Sequence, residues 1–421
     1  MVGSQYDDDD DDNVVVGRRQ TRWYAVTGGR GFMARHLVAA LLRSGEWRVR
    51  VTDLAPTLAL GHGETEGILS DALRDGRAVY ASVDVCNLDQ LTKAFEGVDV
   101  VFHTAAADPS KNNLQLHYKR LTWRVRTKNV IDACKICKVK RLIHTSTSAV
   151  VFDGVHGLFD ADESLPYPDK PSARDPQERP YLFFHTQRRT GAAVEPKKRR
   201  RPRAAAVLEQ FPDAYAQTKA EAEKLVIKAN GINGLLTCCI RPGSMFGPGD
   251  IMMPTLDRYG WSNVTIGEGK NYDDFVYVEN VVHGHLCADK TLSTIEGART
   301  SGGKAYFITN MEPMNMWDFL YLVQEELGYK RIFKIRVPII VIKPASYLIE
   351  LAYRAVFSHF GTCQPQILTP ARIRYVTLNR TFSCNKAVEE LGYKPIVTLQ
   401  DGLKKAVKSY IQLRDKDLPK I

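Results

Sequence analysis

From residue 22 onward, short runs rich in β-branched and aromatic residues alternate with longer amphipathic stretches, and this alternation limits the possible folds more than any other feature. Residues 23–27, 48–53, 78–84, 98–104, 141–145 and 235–241 have strand character, while 32–44, 88–96, 129–137 and 215–230 follow a helical period. Parallel strands need a crossover between them, and a helix after most strands supplies it. The pattern predicts an α/β fold, a Rossmann-like doubly wound parallel sheet covered on both faces. A ligand of such a sheet lies at the carboxyl ends of its strands. After Arg241 the periodicity weakens and turns rich in Pro and Gly appear, as at 242–250. The chain therefore divides into a leader over 1–21, a sheet-bearing domain over 22–250 and a smaller C-terminal portion over 251–421. The leader carries six consecutive aspartates at 7–12 and is expected to be disordered.

The first strand–helix junction reads Thr27-Gly28-Gly29-Arg30-Gly31-Phe32-Met33-Ala34. Glycine there allows positive φ and lets a pyrophosphate approach the amides at the helix N-terminus. The spacing is G-x-x-G-x-x-A, and Gly28, Gly31 and Phe32 are the candidate contacts. Asp53 ends the second strand, 25 residues beyond Gly28. A carboxylate at that point accepts from a ribose 2′-hydroxyl and repels a 2′-phosphate, so NAD is expected, with Arg50 nearby keeping NADP as the alternative. Asp84, closing the third strand, is either an adenine contact or a plain turn cap. Ala105, in the small-residue run His103-Thr104-Ala105-Ala106-Ala107, lets a cofactor lie over the sheet edge. The domain 22–250 is thus read as NAD(P)-binding.

Tyr215-Ala216-Gln217-Thr218-Lys219 places a phenol and an ammonium four residues apart on a predicted helix, hence on one face. A nearby ammonium favours phenolate and lowers the tyrosine pKa from about 10, making Tyr215 a usable general base. A lone YxxxK recurs on ordinary helix surfaces. Here it follows a strand that ends in hydroxyls, Leu142-Ile143-His144-Thr145-Ser146-Thr147-Ser148, and a nucleotide turn, in the order that brings all three to one sheet edge.

On these motifs the chain resembles the extended short-chain dehydrogenases. Within them it is similar to the 3β-hydroxysteroid dehydrogenase group and, more narrowly, to the plant sterol-4α-carboxylate 3-dehydrogenases (decarboxylating). Residues 27–34, 151–154 (VFDG), 215–219, 241–249, 274–288 (DFVYVENVVHGHLCA), 305–314 (AYFITNMEPM), 380–382 and 391–393 carry the resemblance. It implies Tyr215 as base, Lys219 as its partner and cofactor ligand, and Thr147 at the usual serine position, with Ser146 and Ser148 in reserve. It also implies that the backbone after Pro242 faces the nicotinamide. The implied reaction is NAD(P)-dependent oxidation of the 3β-hydroxyl of a 4α-carboxysterol with decarboxylation at C4, without a metal. A sterol substrate, peripheral membrane contact at the cytosolic face of the endoplasmic reticulum (or a cytoplasmic location) and a homodimer go with it. The rival readings are another 3β-hydroxysteroid dehydrogenase, a sugar-nucleotide epimerase or reductase of the same fold, and a catalytically impaired nucleotide-binding scaffold.

Two stretches depart from the group. Residues 119–127 (KRLTWRVRT) lack the asparagine and glycine of its usual VNxxGT-like run. Residues 171–210 hold ten Lys/Arg against four acids, carrying most of the net charge of +10, and lengthen the interval between Thr147 and Tyr215. That segment is expected to be a disordered insertion, genuine or arising from the gene model, and its KKRRRPR run at 197–203 resembles an import or anionic-surface patch. The rest of the chain is only mildly basic, so no nucleic-acid partner is expected. Eight cysteines with a lone CxxC at Cys134 and Cys137 point to a reducing compartment and helix packing. Residues 338–357 are apolar but interrupted by Lys343, Pro344, Glu350 and Arg354, which suits an interfacial or substrate-mouth helix, or ordinary core, better than a membrane span.

Overall fold

A computed structural model describes residues 22–45, 47–60, 67–106, 116–168, 214–259, 264–330, 335–352 and 369–417. The leader and the segment 171–210 lie outside these residues. The strands are β1 (Arg22–Thr27), β2 (Trp47–Asp53), β3 (Ala78–Ser82), β4 (Val100–His103), β5 (Arg141–Thr145), β6 (Leu158–Ala161), β7 (Leu236–Pro242), β8 (Ser244–Phe246), β9 (Val264–Ile266), β10 (Tyr272–Asp273), β11 (Phe275–Tyr277), β12 (Lys304–Ile308), β13 (Met314–Asn315), β14 (Ile335–Val337) and β15 (Arg380–Phe382). The helices are α1 (Phe32–Arg43), α2 (Ile68–Arg74), α3 (Leu88–Phe95), α4 (Leu116–Ile136), α5 (Ala214–Lys228), α6 (Met252–Tyr259), α7 (Val278–Leu292), α8 (Ile295–Ser301), α9 (Met316–Glu326), α10 (Ile339–Ala352), α11 (Pro370–Thr377), α12 (Asn385–Leu391) and α13 (Leu399–Asp417).

Seven of the strands form one parallel sheet in the order β12-β7-β5-β4-β1-β2-β3. The order reverses between β1 and β4, whose Ala25 and Val101 are in register, and this is where chains leaving the two strands diverge and open a crevice. Strands β4 and β5 are buried along their whole length, which is why they read as unbroken apolar runs rather than alternating ones. Helix α1 buries Met33, Ala34, Leu37, Val38, Leu41 and Leu42, one stripe at helical spacing, against the sheet. Cys134 is buried in the layer on the opposite face and Cys137 Sγ donates to the Thr92 carbonyl at 3.2 Å, so the CxxC packs α4 against α3.

The expected strands and helices recur with ends moved by one or two residues, except where the pattern was concealed. Helix α4 begins at Leu116, well before 129, because its first turns are rich in Lys and Arg and show no apolar stripe. The seventh strand, β12, comes from residues 304–308, and α7 packs against α1. The sheet therefore reaches across the expected division at 250. One apolar core likewise joins Leu37, Val49 and Phe102 to Phe246, Tyr277, Phe319 and Tyr393. The remaining strands form a four-stranded sheet, β13-β10-β15-β6, and the pairs β11–β8 and β14–β9, at the sheet end that bears the site.

Candidate active site

The turn between β1 and α1 lies at the crevice and is tightly constrained. Gly28 has φ +68°, and a Cβ there would stand 2.7 Å from Ala105 Cα. Both facts require glycine. Gly31 caps α1 without a side chain, leaving the helix N-terminus open toward the crevice. Phe32 opens that helix, its ring edge-on to His36, and His36 Nε2 is 2.9 Å from the Pro248 carbonyl, so the loop after β8 closes down beside the turn. Asp53 Oδ2 accepts the Arg30 amide at 3.0 Å, which fixes the carboxylate beside the turn at the end of β2. Asp84 Oδ1 accepts the Cys86 amide at 2.8 Å, the turn-cap arrangement. A crevice with a glycine-capped helix N-terminus, a carboxylate one strand over and small residues on the facing strand fits a dinucleotide.

On α5, Tyr215 is half-buried and Lys219, one turn on, is 6% exposed. Lys219 Nζ donates to the Thr145 carbonyl at 2.6 Å, so the ammonium is pinned to the tip of β5, directly before the hydroxyl run. Burial pushes its pKa down to about 8, opposed by the carboxylate of Glu223. Thr147 is half-buried and its Oγ1 accepts the Ala149 amide at 3.3 Å, capping a 3₁₀ turn over Ser148–Val151. That bond uses an oxygen lone pair and leaves the Thr147 proton available for donation. Ser146 and Ser148 are both buried, and the Ser146 hydroxyl has no hydrogen-bond partner. Pro242 ends β7 in register with Ile308, and Gly243 follows where a Cβ would meet the Asp274 carbonyl at 2.4 Å.

Several groups here escaped sequence reasoning. Glu223 lies one turn beyond Lys219 and is clasped by Arg241 from β7 and by the Tyr167 hydroxyl. YxxxK continues as YxxxKxxxE, so the periodicity was available. The arginine partner was not, because a buried pair between distant segments leaves no local trace. Beneath the lysine, His103, His144 and His285 are all buried. His103 bonds Thr27 Oγ1 at 2.8 Å and His285 Nε2 bonds Thr145 Oγ1 at 2.8 Å, while the His144 ring lies tilted 5.0 Å from that of His103, with no side-chain hydrogen bond from either of its nitrogens. Burial, and then the Lys219 charge, lowers the pKa of His103 to about 3 and that of His144 well below the usual range; burial alone is the main cause for His285, at about 4. The three imidazoles are therefore neutral and add no positive charge next to the ammonium.

The sequence profile of the 3-beta hydroxysteroid dehydrogenase/isomerase family matches residues 25–179 and 203–339. The chain belongs to that family. The match spans the turn, the hydroxyl strand tip and the Tyr215–Lys219 helix, and it leaves out 180–202, inside the segment 171–210. Among relatives, the Arabidopsis thaliana protein named 3beta-hydroxysteroid-dehydrogenase/decarboxylase isoform 1 is 46% identical over 95% of this chain and 82% of its own length. The Homo sapiens protein named sterol-4-alpha-carboxylate 3-dehydrogenase, decarboxylating, is 33% identical over 95% of this chain and 91% of its own. Among solved structures, the Bacillus cereus UDP-glucuronic acid 4-epimerase in complex with UDP-glucuronic acid and NAD superposes with a TM-score of 0.61. It is 20% identical and covers 93% of this chain and 99% of its own, a likeness of fold. The family is one of oxidoreductases.

Proposed function

We propose that the chain oxidises the 3β-hydroxyl of a 4α-carboxysterol and that the product loses carbon dioxide from C4. What carries this reading is Lys219, buried one helical turn from Tyr215 and bonded to the tip of β5 beside the open turn at Gly28. Relatives named for this reaction, similar over nearly the whole chain, support it.

Tyr215, held toward phenolate by the adjacent ammonium, takes the hydroxyl proton, while Thr147 donates to the same oxygen and fixes it. Gly28, Gly31, Phe32, Asp53, Ala105, Lys219 and the backbone after Pro242 would hold NAD, with Asp84 at the adenine end. NAD held by these residues would supply the acceptor for the hydride leaving C3. The 3-ketone so formed stands β to the C4 carboxylate, so the C4–carboxyl bond breaks with its electron pair moving into the ketone. An enolate results, and a proton at C4 completes the product. Asp53 favours NAD over a 2′-phosphorylated dinucleotide.

Contact with a membrane surface belongs to the same reading. On α10, Ile340 is 79%, Leu348 65% and Leu351 63% exposed, with Ile339, Val341, Tyr347 and Ile349 also in solvent. Seven exposed apolar side chains on one helix, with Lys343 beside them, suit insertion among lipid headgroups. Among the described residues no helix is long and apolar enough to cross a membrane. Helix α10 packs on α11, whose Tyr375 rests on Phe152 just past the hydroxyl run, so a lipid substrate arriving at α10 lies next to the site.

The test is reduction of NAD by a 4α-carboxysterol with release of carbon dioxide, beside a 3β-hydroxysteroid lacking the carboxyl and a UDP-sugar. Turnover of the first that is lost in Tyr215→Phe is the expected result. Turnover of the UDP-sugar alone, or tight NAD binding without any turnover, would replace this reading by the epimerase or the scaffold.

A further inference from the structure

Tyr167, Glu223 and Arg241 form a buried cluster behind the candidate catalytic pair. Glu223 is fully buried on α5, and Tyr215, Lys219 and Glu223 follow one another at four-residue steps along one helix face. Arg241 Nη2 donates to Glu223 Oε1 at 2.6 Å, its Nε lies 3.1 and 3.2 Å from the two carboxylate oxygens, and Tyr167 Oη donates to Oε1 at 2.6 Å. The guanidinium is sandwiched between Phe307 and Tyr167, 5.1 and 5.6 Å from the ring centroids. Buried ion pairs of this kind add little stability compared with apolar residues of the same volume, so their presence calls for another reason.

Position supplies one. Arg241 precedes Pro242 on β7, so the pair clamps the helix carrying Tyr215 and Lys219 to the strand leading to the candidate nicotinamide contact. Three donors hold the carboxylate, and among the described residues no ion pair joins it to Lys219. Its charge thus acts on the ammonium through a low-dielectric interior without drawing it out of line. We propose that Glu223, fixed by Arg241 and Tyr167, is a positioning residue that keeps Lys219 protonated for catalysis and locks α5 to β7. The inference rests on the reading of Tyr215 and Lys219 as base and partner. Its physical content is a tug between burial, which drives the Lys219 pKa down to about 8, and the Glu223 carboxylate, the main influence opposing it. Cys239 on β7 is a lesser one, and the neutral His103, His144 and His285 are further titratable groups facing the ammonium. Without that carboxylate the ammonium discharges at lower pH. The phenol, having lost its neighbouring charge, then ionises at higher pH, and the active window closes from both sides.

The test follows kcat for NAD reduction by a 4α-carboxysterol from about pH 6 to about pH 10 in the wild type, Glu223→Gln and the double variant Glu223→Gln/Arg241→Met. The double variant removes the cation that the single one would strand. The alkaline limb is expected to fall by roughly one pH unit in Glu223→Gln and by about half a unit in the double variant. KM for the sterol should change less than about threefold. A folded double variant whose limb coincides with that of the wild type overturns the proposal, and so does loss of fold in both variants, which would assign the pair to stability alone. Tyr215→Phe and Lys219→Met run alongside. If either turns over like the wild type, the catalytic reading itself fails and this inference with it. If both are inactive while the limb stays put, only the role of Glu223 fails.

Discussion

At the scale of single residues, Lys219 shows a conflict between stability and chemistry. Its ammonium is withdrawn from water, and its pKa falls from 10.5 to about 8. Between those two values the unfolded chain holds a proton that the folded one has released, so the penalty on folding is full below about pH 8 and disappears as the pH rises through 10.5. Lys219→Met should therefore be inactive yet more stable at pH 7, by roughly 2–3 kcal/mol. That advantage should shrink above pH 8 and vanish past 10.5, as denaturant titrations at several pH values would show. Gly28 makes the opposite case. At φ +68°, with Ala105 Cα 2.7 Å from where a Cβ would stand, Gly28→Ala should cost about 2 kcal/mol or more and weaken NAD binding at least about tenfold, both readable by calorimetry. Residues of both kinds were legible in the sequence because they sit in contiguous motifs, the turn at 27–34 and the YxxxK at 215–219. Arg241, Tyr167 and the three buried histidines were not, since each acquires its meaning from a partner far along the chain.

At the scale of elements, the sequence announced whatever carries a regular apolar stripe. Helix α1 and strands β1 to β5 were readable for that reason, whereas α4 was hidden in its basic first turns and β12 in a half without clear periodicity. Helix α10 was legible only in part: the apolar stretch was plain, but whether it faced a core or solvent depends on neighbours. Its residues Ile340, Leu348 and Leu351 face solvent. Replacing all three by Glu should lower the fraction of protein sedimenting with phospholipid vesicles by about tenfold or more. Turnover of a detergent-dispersed sterol should meanwhile stay within about threefold. Equal sedimentation of variant and wild type would place any membrane contact elsewhere.

At the scale of the molecule, α5 begins at Ala214, and its candidate catalytic face is held by β5, by β7 and by Tyr167, all of which lie outside 180–202. Excision of 180–202, the stretch the family match passes over, should leave kcat within about threefold and the melting temperature within a few degrees. A drop of about a hundredfold would make that stretch part of the working enzyme.

The placement of β12 has a consequence for how the chain is made. Until residue 308 has left the ribosome, the backbone of β7 has no neighbour on its outer side, although the five strands of the sheet that precede it are already available to pair. A nascent polypeptide halted near 250 would thus carry a bare, apolar sheet border, the kind of surface that chaperones bind and that recruits other unfinished chains. Truncated transcripts of this gene should yield aggregates rather than a free-standing nucleotide-binding fragment.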